Sequence, residues 1–129
     1  MRADGLWHPR LVQVIAAMGH TDILVVADAG LPVPPGVEAI DLLWSRRWPP
    51  LLPVLRGIVA ELVVERAIIA EEAKDPDLVG SIEHALTGLP IMRTSHKELK
   101  DTCRRARAVV RTGEDTPYAN VVLHAGVPF

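Results

Sequence analysis

The run Ile23-Leu24-Val25-Val26-Ala27 constrains this chain more than any other stretch. Its five consecutive apolar residues lack the alternation of a half-solvated strand, so they read as a strand buried within a sheet. Both ends of the run carry polar chemistry: Met18-Gly19-His20-Thr21-Asp22 precedes it, and Asp28-Ala29-Gly30-Leu31-Pro32 follows it. Side chains at such ends leave the core and meet ligands while a rigid element supports them.

Around that strand the sequence alternates helical and extended patterns. Leu11, Ile15 and Met18 have helical spacing over Pro9 to Met18, and Gly19 suits the position just past a helix end. A turn rich in proline and glycine, Leu31 to Gly36, leads to a short extended segment around Ala39-Ile40-Asp41. Pro50 to Ala60 reads as a buried helix with Pro53 in its first turn, and Leu62 to Ala70 as a buried strand ending at the acidic pair Glu71-Glu72. Asp75-Pro76 marks a helix start whose apolar stripe is Leu78, Ile82 and Leu86, closed by Gly88. After Ile91 to Thr94, Ser95-His96-Lys97-Glu98 has capping-box spacing, so His96 opens a helix. Ala108 to Arg111, a polar loop over 112–117 and a strand from Tyr118 to His124 complete the chain. The expected fold class is α/β: one domain spanning 1–129, a three-layer α/β/α arrangement with a mostly parallel or mixed sheet.

Composition narrows the function. A formal charge of -2 and the absence of any large Lys/Arg cluster argue against nucleic acid; Arg46-Arg47 and Arg104-Arg105 read as solvated surface. There is no run of about eighteen apolar residues and no charged-then-apolar leader, which points away from membranes and toward the cytoplasm. The single Cys103 shares helical spacing with Leu99 and Ala106 and reads as a small core residue. The acids, histidines and dispersed glycines form neither a metal-ligand spacing nor a phosphate-cradling loop, so neither metal nor cofactor is expected.

Of the five histidines, His8 and His84 read as bystanders, and His124 as a core or interface residue. His20 and His96 stand at element boundaries beside strand ends, where polar groups converge in open α/β sheets. For His20 the alternatives are a surface residue after a helix stop or a proton-transfer group steadied by Asp22 or Asp28. For His96 they are decoration of a surface helix or a ligand contact beside exposed backbone N–H groups.

Several separate blocks resemble a known family in one colinear order. They are Gly19-His20-Thr21-Asp22, Asp28 to Pro32, Ile40-Asp41-Leu42, Val64 to Glu72, Arg111 to Glu114, Pro117-Tyr118-Ala119-Asn120 and Gly126 to Phe129. Together they resemble the D-ribose pyranases of the ribose pyranase/fucose mutarotase family over nearly the whole length. The stretch Trp44 to Pro53, with its two tryptophans and three prolines, departs from that pattern, as do the N-terminal residues.

The resemblance implies a cofactor-free cytoplasmic isomerase that interconverts the pyranose and furanose rings of D-ribose. It also implies a ring-shaped homo-oligomer, a decamer or octamer, with sites at subunit boundaries. His20 matches the family's proton donor, and Asp28, His96, Tyr118, Ala119 and Asn120 match its sugar-contacting positions. Two other readings stand beside this one: an L-fucose mutarotase, and a non-catalytic sugar-binding or regulatory subunit. Gly30-Leu31 and Ala119 favour the ribose branch, because fucose mutarotases tend to carry His-Phe and Gly at those places. The Trp44 and Trp48 patch beside Pro49-Pro50 supports self-association on its own account.

Overall fold

The computed structural model describes residues 1–129. In chain order its elements are α1 (Pro9–Ala17), β1 (Ile23–Ala27), β2 (Glu38–Asp41), α2 (Leu51–Val59), β3 (Val64–Ala70), α3 (Pro76–Ala85), β4 (Ile91–Thr94), α4 (His96–Thr102), β5 (Ala108–Arg111) and β6 (Val121–Ala125). A short 3-10 turn, Cys103–Arg105, extends α4. No helix is long and apolar enough to cross a membrane.

The six strands form one sheet in the order β2-β5-β1-β6-β3-β4. The pairs β1/β5, β2/β5 and β3/β4 are parallel, and β6 runs antiparallel between β1 and β3. The sheet is therefore mixed, with a single strand reversed. Every residue of β1 is buried, and alternation sends its side chains to two different cores. Leu24 and Val26 join the larger cluster, with Leu11 and Val14 of α1, Leu51, Leu55 and Ile58 of α2, and Ile82 of α3. Ile23, Val25 and Ala27 face the other way, onto Leu99 of α4 and Cys103. The expected three layers are present but unequal, with three helices on one face and only α4 and its 3-10 extension on the other.

Local chemistry explains most of the boundaries. Asp75 accepts a hydrogen bond from Leu78 N–H at 3.0 Å and Pro76 opens α3, while Gly88 at φ +83 turns the chain after it. Pro53 falls in the first turn of α2, where its missing N–H costs nothing. Cys103 is fully buried, and burial pushes its thiol up to about 11.

Four details differ from the sequence expectation. Gly19 does not adopt the left-handed conformation that ends many helices; α1 stops at Met18 in extended geometry, and Thr21 at φ 71 makes the turn instead. The turn is fixed by the Asp22 carboxylate, which accepts from Gly19 N–H at 2.9 Å. His8 is not a bystander, because its Nδ1 accepts from Leu11 N–H at 3.2 Å and caps α1. Two strands are shorter than the apolar runs that contain them: β3 begins at Val64 rather than Leu62, and β6 begins at Val121 rather than Tyr118. Finally, only half of the capping box forms. Ser95 Oγ accepts from Glu98 N–H at 3.1 Å, while the free N–H of His96 is taken by the Glu72 carboxylate, both oxygens at 3.0 Å.

Candidate active site

The reversed strand β6 builds the site. Because β6 runs against β1 and β3, its first residue, Val121, lies opposite Val26 and Ile69 near the carboxyl ends of those strands. The segment Pro117 to Asn120, entering β6, is thereby delivered beside Asp28 at the end of β1. His96 reaches the same place from the other direction, since α4 starts directly after β4, which pairs in parallel with β3. Carboxyl ends of parallel strands are where ligands sit in open α/β sheets.

Asp28 and Asn120 form a reciprocal pair. Asn120 Oδ1 accepts from Asp28 N–H at 2.8 Å, and Asn120 Nδ2 donates to Asp28 Oδ2 at 3.1 Å. The N–H groups of Gly30 and Leu31 donate to Asp28 Oδ1 at 3.0 and 2.9 Å. Three donors thus fix the carboxylate's orientation and leave Oδ2 with spare acceptor capacity. Asn120 is buried, with its amide oxygen and one N–H already engaged. It therefore acts mainly by orienting Asp28 and has one amide hydrogen left to offer a ligand.

Asp28, Gly30, Leu31, His96, Pro117 and Tyr118 line a cavity of about 270 Å³. Tyr118 sits at φ 61, a left-handed conformation uncommon for an aromatic residue and one that costs about 1–3 kcal/mol. The turn sets its ring edge-on to His96, with centroids 5.0 Å apart and planes at 76°. His96 Nδ1 is buried without a partner. Ala119 is fully buried with its side chain in the larger core cluster, so only its main chain is available to a sugar.

His20 is not in this cavity. It precedes β1 whereas Asp28 follows it, which places the two at opposite ends of the sheet. Its Nε2 lies 2.8 Å from Glu65 Oε2 at the start of β3, and neither Asp22 nor Asp28 steadies it. Asp22 is instead committed to Gly19 N–H and to Arg107, at 3.5 Å. A five-residue strand spans about 16 Å, too far for one pentose to touch both ends. His124 lies near His20, opposite Ile23 in the register. It is buried, and desolvation first, then Arg66 and Arg105, hold its imidazole below the ordinary value of 6.5 despite the opposing charge of Glu65.

Glu114 was not singled out by sequence reasoning, yet it holds the loop that carries Tyr118. Its Oε1 accepts from Leu51 N–H at 3.1 Å, and its Oε2 accepts from the N–H and hydroxyl of Thr116 at 3.3 and 2.9 Å. Its backbone carbonyl also accepts from Ala29 N–H at 2.9 Å, tying this loop to the Asp28 turn. The neighbouring Asp115 carboxylate accepts from Arg47 and Arg46, at 2.9 and 2.8 Å, and those bonds hold it below the usual carboxylate range. The arginine pair is therefore exposed but partnered. Together with Gly113 N–H donating to Pro49 O at 2.7 Å, it clamps the loop bearing the exposed Trp44 and Trp48 beside the site.

A model of the RbsD / FucU transport protein family matches residues 1–128. The chain belongs to that family. Within the RbsD / FucU family it is 49% identical over its full length to the full-length D-ribose pyranase of Coprothermobacter proteolyticus. It is 50% identical, again with both chains fully covered, to the D-ribose pyranase of Chloroflexus aggregans. Its fold matches Bacillus subtilis RbsD complexed with D-ribose at a TM-score of 0.96, with 40% identity and full coverage of both chains. A fucose mutarotase from Streptococcus pneumoniae in complex with L-fucose shares the fold at a TM-score of 0.81 and 22% identity, covering 94% of each chain.

Proposed function

We propose that this chain is a D-ribose pyranase, a cytoplasmic isomerase of carbohydrate metabolism that feeds ribose catabolism and interconverts the pyranose and furanose rings of D-ribose. The supporting observation is the convergence of Asp28, His96 and Tyr118 on one cavity, in a fold matching a ribose complex at a TM-score of 0.96. The whole span 1–129 serves as one catalytic domain.

The chemistry requires little machinery. A proton leaves the anomeric hydroxyl as the ring C–O bond breaks, and another reaches the released ring oxygen. Rotation about the carbon chain and attack by a different hydroxyl on the aldehyde reverse both transfers. His20 supplies the proton to the ring oxygen, since an imidazole both gives and takes protons near neutral pH. Asp28, held by its three donors, accepts from a sugar hydroxyl. His96, Tyr118, the remaining amide hydrogen of Asn120 and the main chain of Ala119 fix the other hydroxyls.

Because His20 and the cavity lie at opposite ends of β1, the His20 in each site comes from a neighbouring copy. Such a contact joins one end of a subunit to the other end of the next, and repeated head-to-tail contacts close into a ring. A ring-shaped decamer or octamer fits this geometry, and the exposed Trp44 and Trp48 supply apolar surface that a free subunit would leave in water.

Saturation-transfer NMR tests the reading. The protein should accelerate pyranose–furanose exchange of ribose, and more so than anomer exchange of fucose under the same conditions. No acceleration of either sugar would reduce the chain to a binder, and equal or greater acceleration of fucose would place it in the mutarotase branch.

A further inference from the structure

The pairing of β3 with β6 carries one irregularity, and it falls on the residue that touches His20. Val64 lies opposite Ala125 and Arg66 opposite His124, so two steps along β3 answer one along β6 and Glu65 is the extra residue of a bulge. A bulge takes a side chain out of the alternation of its strand and re-aims it. Here the Glu65 carboxylate is sent to His20, with Oε2 2.8 Å from Nε2. Gly126 leaves room for it, since a Cβ there would lie 3.2 Å from Cβ of Glu65.

The histidine is held from the same strand end. Thr21, at φ 71 in the turn that follows His20, donates its N–H to Ala125 O at 2.8 Å, and Ala125 N–H donates to Asp22 O at 2.8 Å. Both partners of the contact therefore hang from Ala125. Their meeting is set by the backbone on each side, not by two long side chains finding one another in solvent. An exposed pair of this kind adds little to stability, so its effect falls on the imidazole itself.

A carboxylate only accepts, so Nε2 carries the hydrogen of this bond. In the neutral ring the lone pair then belongs to Nδ1, which makes no hydrogen bond within the subunit, and the side chain keeps 54% of its surface exposed. Building on the reading of His20 as proton donor to a neighbouring copy's cavity, we infer that Glu65 is a positioning residue that fixes the Nε2–H tautomer, and that Nδ1 is the atom that exchanges the proton with the sugar. As the ring C–O bond breaks, its electron pair stays on the oxygen, which takes the proton from Nδ1. The anomeric hydroxyl gives its own proton to water as its carbon becomes the aldehyde. His20 is left neutral, its remaining hydrogen on Nε2 and still bonded to Glu65, and Nδ1 takes a proton back from the hydroxyl that recloses the ring. A carboxylate that holds an imidazole in this way sets tautomer and ring orientation without touching the substrate.

Glu65→Gln keeps the size of the side chain and removes its charge. On the assembled protein, ribose ring exchange followed by NMR should slow about tenfold or more, a share of the general acid–base contribution. Ribose affinity by calorimetry and assembly by sedimentation should match the wild type. Ring nitrogen spectra of His20, assigned against His20→Ala and recorded at about pH 8.5 where an ordinary imidazole is neutral, should show the hydrogen on Nε2 in the wild type and a population with it on Nδ1 in Glu65→Gln. A merely structural role would lower affinity or assembly together with the rate and leave the tautomer as it was. That result overturns the proposal, as does an unchanged exchange rate or a wild-type ring with its hydrogen on Nδ1. If the wild type accelerates no ribose exchange, the isomerase reading fails, and the ring spectra of the two proteins then decide alone whether Glu65 sets the tautomer.

Discussion

Two variants that are each inactive should restore one another when their subunits are mixed. His20→Ala removes the proposed proton donor and Asp28→Asn removes the carboxylate, and the fold sets these residues at opposite ends of β1. Losing the general acid–base contribution should slow ribose ring exchange by about 10²–10⁴-fold in His20→Ala alone. In a one-to-one mixture, unfolded and reassembled together, a site is intact when its cavity comes from a His20→Ala copy and its histidine from an Asp28→Asn copy. Each condition holds for half of the copies, so about a quarter of the sites recover in a head-to-tail assembly with random mixing. Saturation-transfer NMR reads this directly, since each single-variant assembly defines the background. A site contained within one subunit would recover nothing, because every copy then lacks one of its two groups. A mixture that stays at the background, with hybrid assembly verified by mass spectrometry, would refute the shared site.

Three further outcomes follow from the geometry. Asn120→Ala leaves Asp28 N–H without its acceptor and Asp28 Oδ2 without a donor, so urea unfolding should show a loss of about 2–4 kcal/mol; a loss within about 0.5 kcal/mol would mean the pair does not hold the turn. At Gly113 an added Cβ would lie 2.3–2.6 Å from backbone atoms of Trp48, so Gly113→Ala should cost about 1–3 kcal/mol in urea unfolding and shift Trp fluorescence as the Trp44–Pro49 loop moves away, whereas unchanged stability and emission would show that the loop yields freely. The lowered pKa of His124 means the folded state binds fewer protons than the unfolded state near the ordinary value of 6.5, so its contribution to stability is full above that value and declines as pH falls through it; His124→Gln should flatten this part of a stability–pH profile, and an unchanged slope would count against it.

The fold was legible wherever one local rule decided an element. The apolar run of β1, the Asp75-Pro76 start of α3 and the buried Cys103 each follow from spacing or capping alone. Boundaries slipped where a polar or irregular residue sat inside an apolar window. Tyr118 belongs by composition to the strand that follows it, yet its left-handed φ makes it a turn, a conformation that tertiary contacts impose. His8 lies outside the usual capping set of Ser, Thr, Asp and Asn, although Pro9 at the first helical position already marks the start of α1.

Glu65, Glu72 and Glu114 act at long range, on His20, on the His96 N–H and on Leu51, across 45, 24 and 63 positions respectively. No local pattern announces such pairings, because the sheet order β2-β5-β1-β6-β3-β4 brings them together and that order depends on one reversed strand at the end of the chain. The separation of His20 from Asp28 is different, since it is already present in the order of the residues. A histidine before a five-residue strand and an aspartate after it must face opposite ends of the sheet, whatever the neighbouring strands do. Treating both simply as residues near a strand end discards the direction of the chain. With direction kept, a single copy cannot bring this histidine to this carboxylate, so a site that uses both requires a second copy, and the order of residues along β1 is enough to demand it.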